Sequence, residues 1–335
     1  MIDLSRYGYQ DIEQYADNRI PGRVTELHRG RYKVVCSYGE TPATLKGAYY
    51  LKTSEESFPC VGDFVLVEHS NNNDFRIVRT LPRHSMFSRA DYSGHKSGYA
   101  KAVLEQVVAA NFDFVFIVSS LNRDFNINRI SRYLTQALRS GAQPVVVLTK
   151  ADLVDHFNEQ VSEVKYSAPG VPVCAVSSNT KYGFDSLEEY LQPRKTIVFL
   201  GMSGVGKSTL LNTLMNQNVM AVSSIREDDS RGRHTTTHRQ LFMLPSGAMV
   251  IDTPGMRELG LYDAKEAISV SFNDVEELIA QCHFSDCHHE TEPGCAVLAA
   301  LKDGTLSHDR WERYLAQRQE NEFVQDRSEY LTRKR

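Results

Sequence analysis

The sequence predicts an α/β protein with two attached units: an all-β barrel first, a doubly wound parallel sheet in the middle, and a small, mainly helical unit at the end. Three observations predict it. Short β-rich segments parted by Gly, Pro, Asn and Ser clusters fill the stretch from about Gly22 to Leu81. From "NFDFVFIVSS" onward, unalternating Val, Ile and Phe runs alternate with helical stretches. Past Leu261 the strands stop, and three cysteines crowd together with histidines. At 335 residues, with 41% hydrophobic and 24% charged side chains, the chain is ordinary globular material with room for two or three cores.

The first unit, residues 1–85, opens with a polar leader. It continues as "GRVTELHRGRYKVVC", "ATLKGAYYLK", "VGDFVLVEH" and "DFRIVRTL". That spacing suits a small barrel; an SH3-like barrel fits the length, and a five-stranded OB-type barrel is the expectation. The N-terminus has no apolar stretch flanked by positive charge, and no run of about 18 apolar residues occurs, so a cytoplasmic protein with no membrane partner is expected. A formal net charge of -4 excludes a chain that coats nucleic acid simply by being basic, so any RNA contact must be local. Six cysteines are too few for a disulfide scaffold, and their clustering near the end suggests metal.

The second unit, residues 86–260, is expected to place strands at 113–119, 144–149, 171–177, 195–200 and 248–252. Between the strand "TIVFL" and the helical "STLLNTLMNQ", Gly201, Gly206, Lys207 and Ser208 fit G-x-x-x-x-G-K-[ST]. The glycines let backbone N–H groups wrap phosphates, so Gly201, Met202, Ser203, Gly204, Val205, Gly206 and Thr209 are expected around them. Lys207 would reach the β and γ oxygens, and Ser208 would offer its hydroxyl to Mg²⁺. A chance glycine turn is the plain alternative; the flanking strand and helix speak against it. Asp252 ends the strand "GAMVI" and opens "DTPG", placing a carboxylate near the metal and the Gly255 N–H near a γ-phosphate. Alone, D-x-x-G is a common turn, but downstream of a phosphate loop it becomes a metal and switch motif. In "RGRHTTTHRQ", Thr236 is the expected second Mg²⁺ hydroxyl; Thr235 and Thr237 stay open, as does a plain Thr-rich lead into a strand.

"TKAD", Thr149, Lys150, Ala151 and Asp152, ends the strand "PVVVL", where doubly wound folds place ligand contacts. The Asp152 carboxylate can accept from both N1–H and the exocyclic amine of guanine, a donor pair that adenine lacks. Lys150 can lay its methylenes over the ring. "AVSSNT" supplies Ser177, Ser178 and Asn179 as a rim. Each alone is an ordinary turn; together they point to guanine. Base motif, rim, phosphate loop, threonine loop and DTPG are the five stations of a Ras-like GTPase, rotated so that its usual fourth and fifth, base motif and rim, precede the other three. Circular permutation allows this when termini lie close together. One mechanical effect follows: the segment after DTPG leads straight to the C-terminal unit.

With these motifs in place, the chain resembles the circularly permuted GTPases, and among them the small-subunit-dependent GTPase A (RsgA/YjeQ) family. The likeness spans barrel, "TKAD", "SSNT", "GMSGVGKST", "RHTTT", "DTPG" and the Cys/His cluster. Thr149 stands where the common pattern has Asn, which normally ties the base loop to the phosphate loop. Somewhat weaker nucleotide binding with guanine selection intact is therefore expected. Met256 follows the DTPG glycine, where many GTPases place a water-orienting Gln. Slow intrinsic hydrolysis is expected, which agrees with the activation by the small ribosomal subunit that the resemblance implies. His234 is a candidate substitute, with a plain exposed loop histidine as the simpler reading.

In the third unit, residues 261–335, "CHFSDCHHETEPGC" offers Cys282, Cys287, His289 and Cys295. Three thiolates and an imidazole suit one closed, structural zinc ion. His283 and His288 compete with His289 on spacing alone; the family pattern implies His289. "DRWERYLAQRQENEFVQDRSEYLTRKR" reads as an exposed helix. "HRGRYK", "RHSMFSRADYSGHKSGYAK" and "RKR" interleave cations with aromatics, as RNA-binding segments do, although each alone is more often a solvated face. The resemblance implies a monomer whose barrel and zinc unit grip 16S rRNA during late 30S maturation, with Mg²⁺ accompanying GTP. A P-loop ATPase or kinase with appended RNA-binding domains, and an RNA-binding protein with a vestigial nucleotide fold, are the competing classes.

Overall fold

The structure, a computed structural model, describes residues 2–10, 15, 19–28, 30–47, 58–69, 74–91, 104–122, 124–220, 239–252 and 264–333. Strands β1 (Arg19–His28), β2 (Arg31–Cys36), β3 (Gly39–Leu45), β4 (Phe64–His69) and β5 (Phe75–Thr80) run in the order β1-β2-β3-β5-β4, and β4 returns to pair with β1. Every neighbour is antiparallel except β3 and β5, which are parallel. This closed five-stranded barrel is OB-like, which sets the SH3-like alternative aside. Val24, Val34, Val65, Val67 and Ile77 fill it. Tyr32 of "HRGRYK" joins that core at 6% exposure, so it is not available to stack on RNA.

Ten-residue β1 does two jobs. Residues Arg19 to Arg23 pair with β4, while Glu26 and Leu27, past a register shift, pair with Gln240 and Arg239. The barrel and the α/β sheet are therefore one continuous eleven-stranded sheet. Its second part is β8 (Phe114–Ser120), β9 (Gln143–Thr149), β10 (Val173–Ala175), β11 (Thr196–Leu200), β12 (Arg239–Met243) and β13 (Met249–Asp252), ordered β10-β9-β8-β11-β13-β12. All its neighbours are parallel except β12. The strands lie close to their expected spans, β10 being the shorter.

Alternation along each strand serves two covered faces. Ile117, Val146, Leu148, Val198 and Leu200 pack on the side of α1 (Ile127–Arg139) and α2 (Asn158–Ser167); Phe116, Val118, Val145, Val147 and Phe199 pack on the side of α3 (Lys207–Met215). From β8 the chain runs outward through β9 to β10, while from β11 it passes to β12 at the far side and returns to β13; β8 and β11, side by side, send the chain in opposite directions. The C-terminal ends of these two strands thus flank a topological switch point, where doubly wound sheets bind ligands.

A two-stranded ribbon pairs β6 (Met86–Asp91), which falls within "RHSMFSRADYSGHKSGYAK", with β7 (Leu104–Ala110), just after it. Phe87 stacks on Phe112 at 5.0 Å between ring centroids and is buried, so it is core rather than an RNA-facing ring. Arg23 pins the barrel to the sheet. Its guanidinium donates to Gly62 O at 3.1 Å, Tyr7 O at 2.6 Å, Thr196 Oγ1 at 3.0 Å and Asn111 O at 2.7 Å. Burial pushes its pKa down to about 10, with Asp113 and Asp63 opposing, so it stays charged at neutral pH.

Beyond residue 263 come α4 (Lys265–Ser271), α5 (Asn273–Ala280), α6 (Ala296–Asp303) and α7 (His308–Arg333), packed around Ile268, Phe272, Val275, Val297 and Tyr314. The last helix is not simply exposed. Arg310, Tyr314, Gln317 and Asn321 form a buried stripe at i, i+4, i+7 and i+11. Gln317 bonds Thr135 at 2.6 Å and Ser131 at 3.1 Å, and Glu320 makes a bidentate pair with Arg132, which fixes α7 against α1. Arg310 reaches Ser167 O, Ser271 O and Asp274.

Candidate nucleotide site and metal centre

Gly201 to Gly206 leave β11 at the switch point, and Lys207 begins α3. A Cβ on Gly201 would stand 2.3 Å from Val118 O of the neighbouring strand, so only glycine lets the loop turn there. Gly206, at φ +99, is in a conformation that side-chain-bearing residues rarely adopt. The first turn of α3 points its free N–H groups toward this loop, an arrangement that favours anions. Lys207 Nζ donates to Gly201 O at 2.7 Å and to Met202 O, so the cation sits at the loop. Ser203 and Gly204 are exposed, Val205 is buried, and Ser208 and Thr209 are half-buried at the start of the helix.

The base motif lies at the end of β9, two strands away from β11 across β8. Thr149 closes β9 at 3% exposure, and its hydroxyl lies 2.5 Å from Val205 O and 3.3 Å from Ser119 O. It therefore ties the base loop to the phosphate loop. Although shorter than Asn, the Thr149 side chain still reaches the phosphate-loop carbonyl. Lys150 adopts a left-handed conformation, φ +62, which turns the chain so that Ala151 N can bond Val176 O at 3.2 Å. Asp152 is exposed and oriented through both oxygens: Ser177 Oγ donates to Oδ1 at 2.6 Å and Asn179 Nδ2 to Oδ2 at 2.9 Å. These bonds, Ser177 first, hold its carboxyl below the usual aspartate range. Ser178 sits half-buried between them.

Asp252 ends β13 on the same edge of the sheet. Burial raises its pKa, and nearby Lys207 pulls the other way. His234, Thr235, Thr236, Thr237, Gly255 and Met256 lie outside the described residues. Sequence reasoning missed an open polar groove of about 390 Å³, lined by Lys181, Thr209, Asn212, Thr213, Asn216 and Gln217 among others. The signal was present in the run Asn216, Gln217, Asn218, which is polar directly after a helix that otherwise packs on the sheet.

Cys282, Cys287, His289 and Cys295 come together with all four ligand atoms within 4.8 Å of one another. Cys282 Sγ is 3.6 Å from His289 Nδ1 and 3.9 Å from Cys295 Sγ, which is 3.4 Å from the same nitrogen. A tetrahedron with metal–sulfur bonds of about 2.3 Å has edges of about 3.8 Å, so the set fits a bound metal ion. His289 takes the left-handed φ +62 that turns its ring inward, while His283 and His288 are exposed and stand outside the cluster. Cys295 caps α6, its sulfur accepting from Leu298 N at 3.4 Å. The loop is held by Glu292, which accepts from the backbone N–H groups of His288, Glu290 and Thr291. Backbone donors, its own first, hold that carboxyl at about 2.

Residues 80–262 match the family model described as RsgA GTPase. The chain is 44% identical over 317 residues to "Small ribosomal subunit biogenesis GTPase RsgA 2" of Listeria monocytogenes serotype 4b, covering 94% of this chain and 88% of that protein. It is 43% identical over 302 residues to "Small ribosomal subunit biogenesis GTPase RsgA" of Syntrophotalea carbinolica, covering 90% and 83%. Among solved structures it is similar to YjeQ from Thermotoga maritima, with a TM-score of 0.65, 27% identity, and coverage of 89% of this chain and 96% of that one. It also shares the fold of YloQ, a circularly permuted GTPase, at a TM-score of 0.63, 22% identity, and coverage of 94% and 99%.

Proposed function

The chain belongs to the RsgA GTPase family, and from that premise we propose that it hydrolyses GTP on the small ribosomal subunit and couples hydrolysis to late subunit maturation and to its own or another factor's release. It is a GTP hydrolase of small-subunit biogenesis. One observation carries the nucleotide reading: Thr149 Oγ1, 2.5 Å from Val205 O, joins the base loop to the phosphate loop although the sequence encodes them in reversed order. Asp152 would read guanine, and Ser177 and Asn179 preset the orientation of its carboxylate. Lys207 and the loop amides would hold the β- and γ-phosphates, with Ser208, Asp252 and Thr236 around Mg²⁺ and Gly255 at the γ-phosphate. Guanine specificity, rather than an ATPase or kinase role, is what a use for Asp152 and its two donors favours.

The metal at Cys282, Cys287, His289 and Cys295 is read as one structural zinc ion. Three sulfurs and one nitrogen suit it, and four protein ligands leave no open position for catalysis. It would fix a loop that contributes little apolar surface of its own. Division into residues 1–85, 86–260 and 261–335 is supported by the barrel ending at Thr80 and by α4 beginning at Lys265. RNA contact with 16S rRNA is read from the exposed Arg31 at the barrel's first turn and from the C-terminal helix rather than from Tyr32 or Phe87. The protein is read as a cytoplasmic monomer; among the described residues no helix is long and apolar enough to cross a membrane.

GTP and ATP turnover by the full chain, each measured with and without purified small subunits, tests the proposal. Slow GTP hydrolysis that subunits accelerate is the expected result. Preference for ATP would favour the kinase or ATPase class, no turnover in any mixture would favour a vestigial site, and indifference to subunits would remove the coupling.

A further inference from the structure

A histidine that binds a metal through one ring nitrogen has its orientation set from outside, commonly by a carboxylate or carbonyl on the other nitrogen. His289 departs from that pattern. Its contacts to Cys282 Sγ at 3.6 Å and Cys295 Sγ at 3.4 Å both run through Nδ1, and among the described residues no carboxylate or carbonyl bonds Nε2. The backbone, at φ +62, sets where the side chain leaves the loop. Rotation of the ring about its own bond is a soft torsion, which packing must stop.

Trp311 of α7 supplies that packing. It meets the His289 ring edge to face, 5.5 Å between centroids and 83° between planes. Trp311 is itself held in place, because it stacks on Tyr314 at 5.5 Å and 25°, and Tyr314 in turn meets Phe272 at 5.6 Å. Tyr314 is 1% exposed, and its hydroxyl lies 3.0 Å from Glu276 Oε1. Arg310 closes the column: its guanidinium stands 4.2 Å from the centre of the Phe272 ring and donates to Ser167 O of α2 at 2.9 Å. A continuous run of rings thus joins the metal ligand to the nucleotide fold. Leucine at position 311 would fill part of the same space but offer no aromatic partner to the imidazole.

We propose that Trp311 is a positioning residue for the metal: its ring keeps the His289 imidazole rotated with Nδ1 toward the three sulfurs, and it does so from a helix anchored on the nucleotide fold. This rests on the metal reading above. A well-placed pair of aromatic rings is worth up to about tenfold in an equilibrium constant, which sets the size of the effect on metal affinity. The three thiolates do not touch the column in this way, so losing Trp311 should loosen the nitrogen ligand and leave the sulfurs in place.

The test uses the full chain without nucleotide or subunits, as wild type, Trp311→Leu, Trp311→Phe and His289→Ala. Zn²⁺ affinity is read by competition with a chromophoric chelator, and the ligand set by the absorption spectrum of the Co²⁺ form. Trp311→Leu should bind Zn²⁺ about five- to tenfold more weakly, and its Co²⁺ spectrum should move in the direction that His289→Ala defines. Trp311→Phe keeps an aromatic face and should restore the wild-type spectrum, with affinity within about twofold. Because Trp311 is the one tryptophan in the chain, Co²⁺ should also quench most of the intrinsic emission of wild type. A leucine variant with wild-type affinity and spectrum would overturn the proposal, as would equal impairment of the leucine and phenylalanine variants or unquenched emission in the Co²⁺ form. If Trp311→Leu fails to fold, Trp311→Met, longer and also without a ring, takes its place, and the quenching of wild type decides independently. Should wild type bind no Zn²⁺, the metal reading itself falls, a result distinct from loss in one variant.

Discussion

Replacing Thr149 by Val keeps its shape and removes its hydroxyl, which isolates the tie between the two nucleotide loops. Thr149 is 3% exposed, and its oxygen lies 2.5 Å from Val205 O. Without that donor the carbonyl is left unpaired in a dry setting, a penalty of about 1–3 kcal/mol. Part of this appears as lost stability, and part as freedom of the phosphate loop that bound nucleotide must suppress. If half reaches binding, about 1.4 kcal/mol or less, GDP affinity falls by up to about tenfold. Thr149→Ser gives the opposite split: the hydroxyl remains and a buried methyl is lost, so melting temperature falls by a few degrees while GDP affinity stays within about twofold. Stopped-flow dissociation of a fluorescent GDP analogue, alongside thermal melts, reads both quantities. Val binding as tightly as wild type, or Ser binding as weakly as Val, would refute the assignment of the tie to the hydroxyl.

Asp252→Asn should raise the melting temperature at pH 7 while abolishing Mg²⁺-dependent nucleotide binding. Burial raises the folded-state pKa of Asp252, so its ionised form opposes folding in full above that raised pKa, and the opposition is relieved as pH falls from the raised pKa to the unfolded value. For the same reason, Mg²⁺-dependent binding by wild type should fade at a higher pH than an ordinary aspartate would give, as a pH titration of GDP release would show. Cys287→Ser should lower metal content from one ion per chain, measured by elemental analysis, and cut subunit stimulation at least about tenfold while nucleotide affinity holds. Arg23→Met should cost about 3–5 kcal/mol, because the carbonyls of Gly62, Tyr7 and Asn111 lose their donor; denaturant melts check it.

The sheet was readable because its strands are buried on both faces: the run "VFIVSS" has no choice but a covered strand, and glycine before "KST" has few uses other than wrapping phosphate. The metal cluster was equally plain, since thiols and imidazoles seldom gather without a common ligand. What escaped shares one physical cause: hydrophobic periodicity cannot see polar burial. Arg310, Gln317 and Asn321 of α7 hide their stripe behind charged and amide letters, so the helix looked exposed. Arg23 and Asn111 disguise the junction of barrel and sheet in the same way. Tyr32 and Phe87 erred in the other direction. Each sits among cations in the sequence, yet the fold turns it inward; next to Tyr32 it is Arg31 that stays exposed, and only the register reveals which side faces out.

Because β1 serves the barrel along its first half and borders β12 along its second, the chain has no clean cut between them. A fragment begun at residue 80 to isolate the nucleotide fold would bare one flank of β12, with unsatisfied N–H and C=O groups at Arg239 and Gln240 ready to recruit a neighbouring molecule's strand. Such a truncated chain should self-associate, and any kinetic defect it shows would reflect that raw edge as much as the missing barrel. Dissection is better done by point substitution along the seam than by truncation.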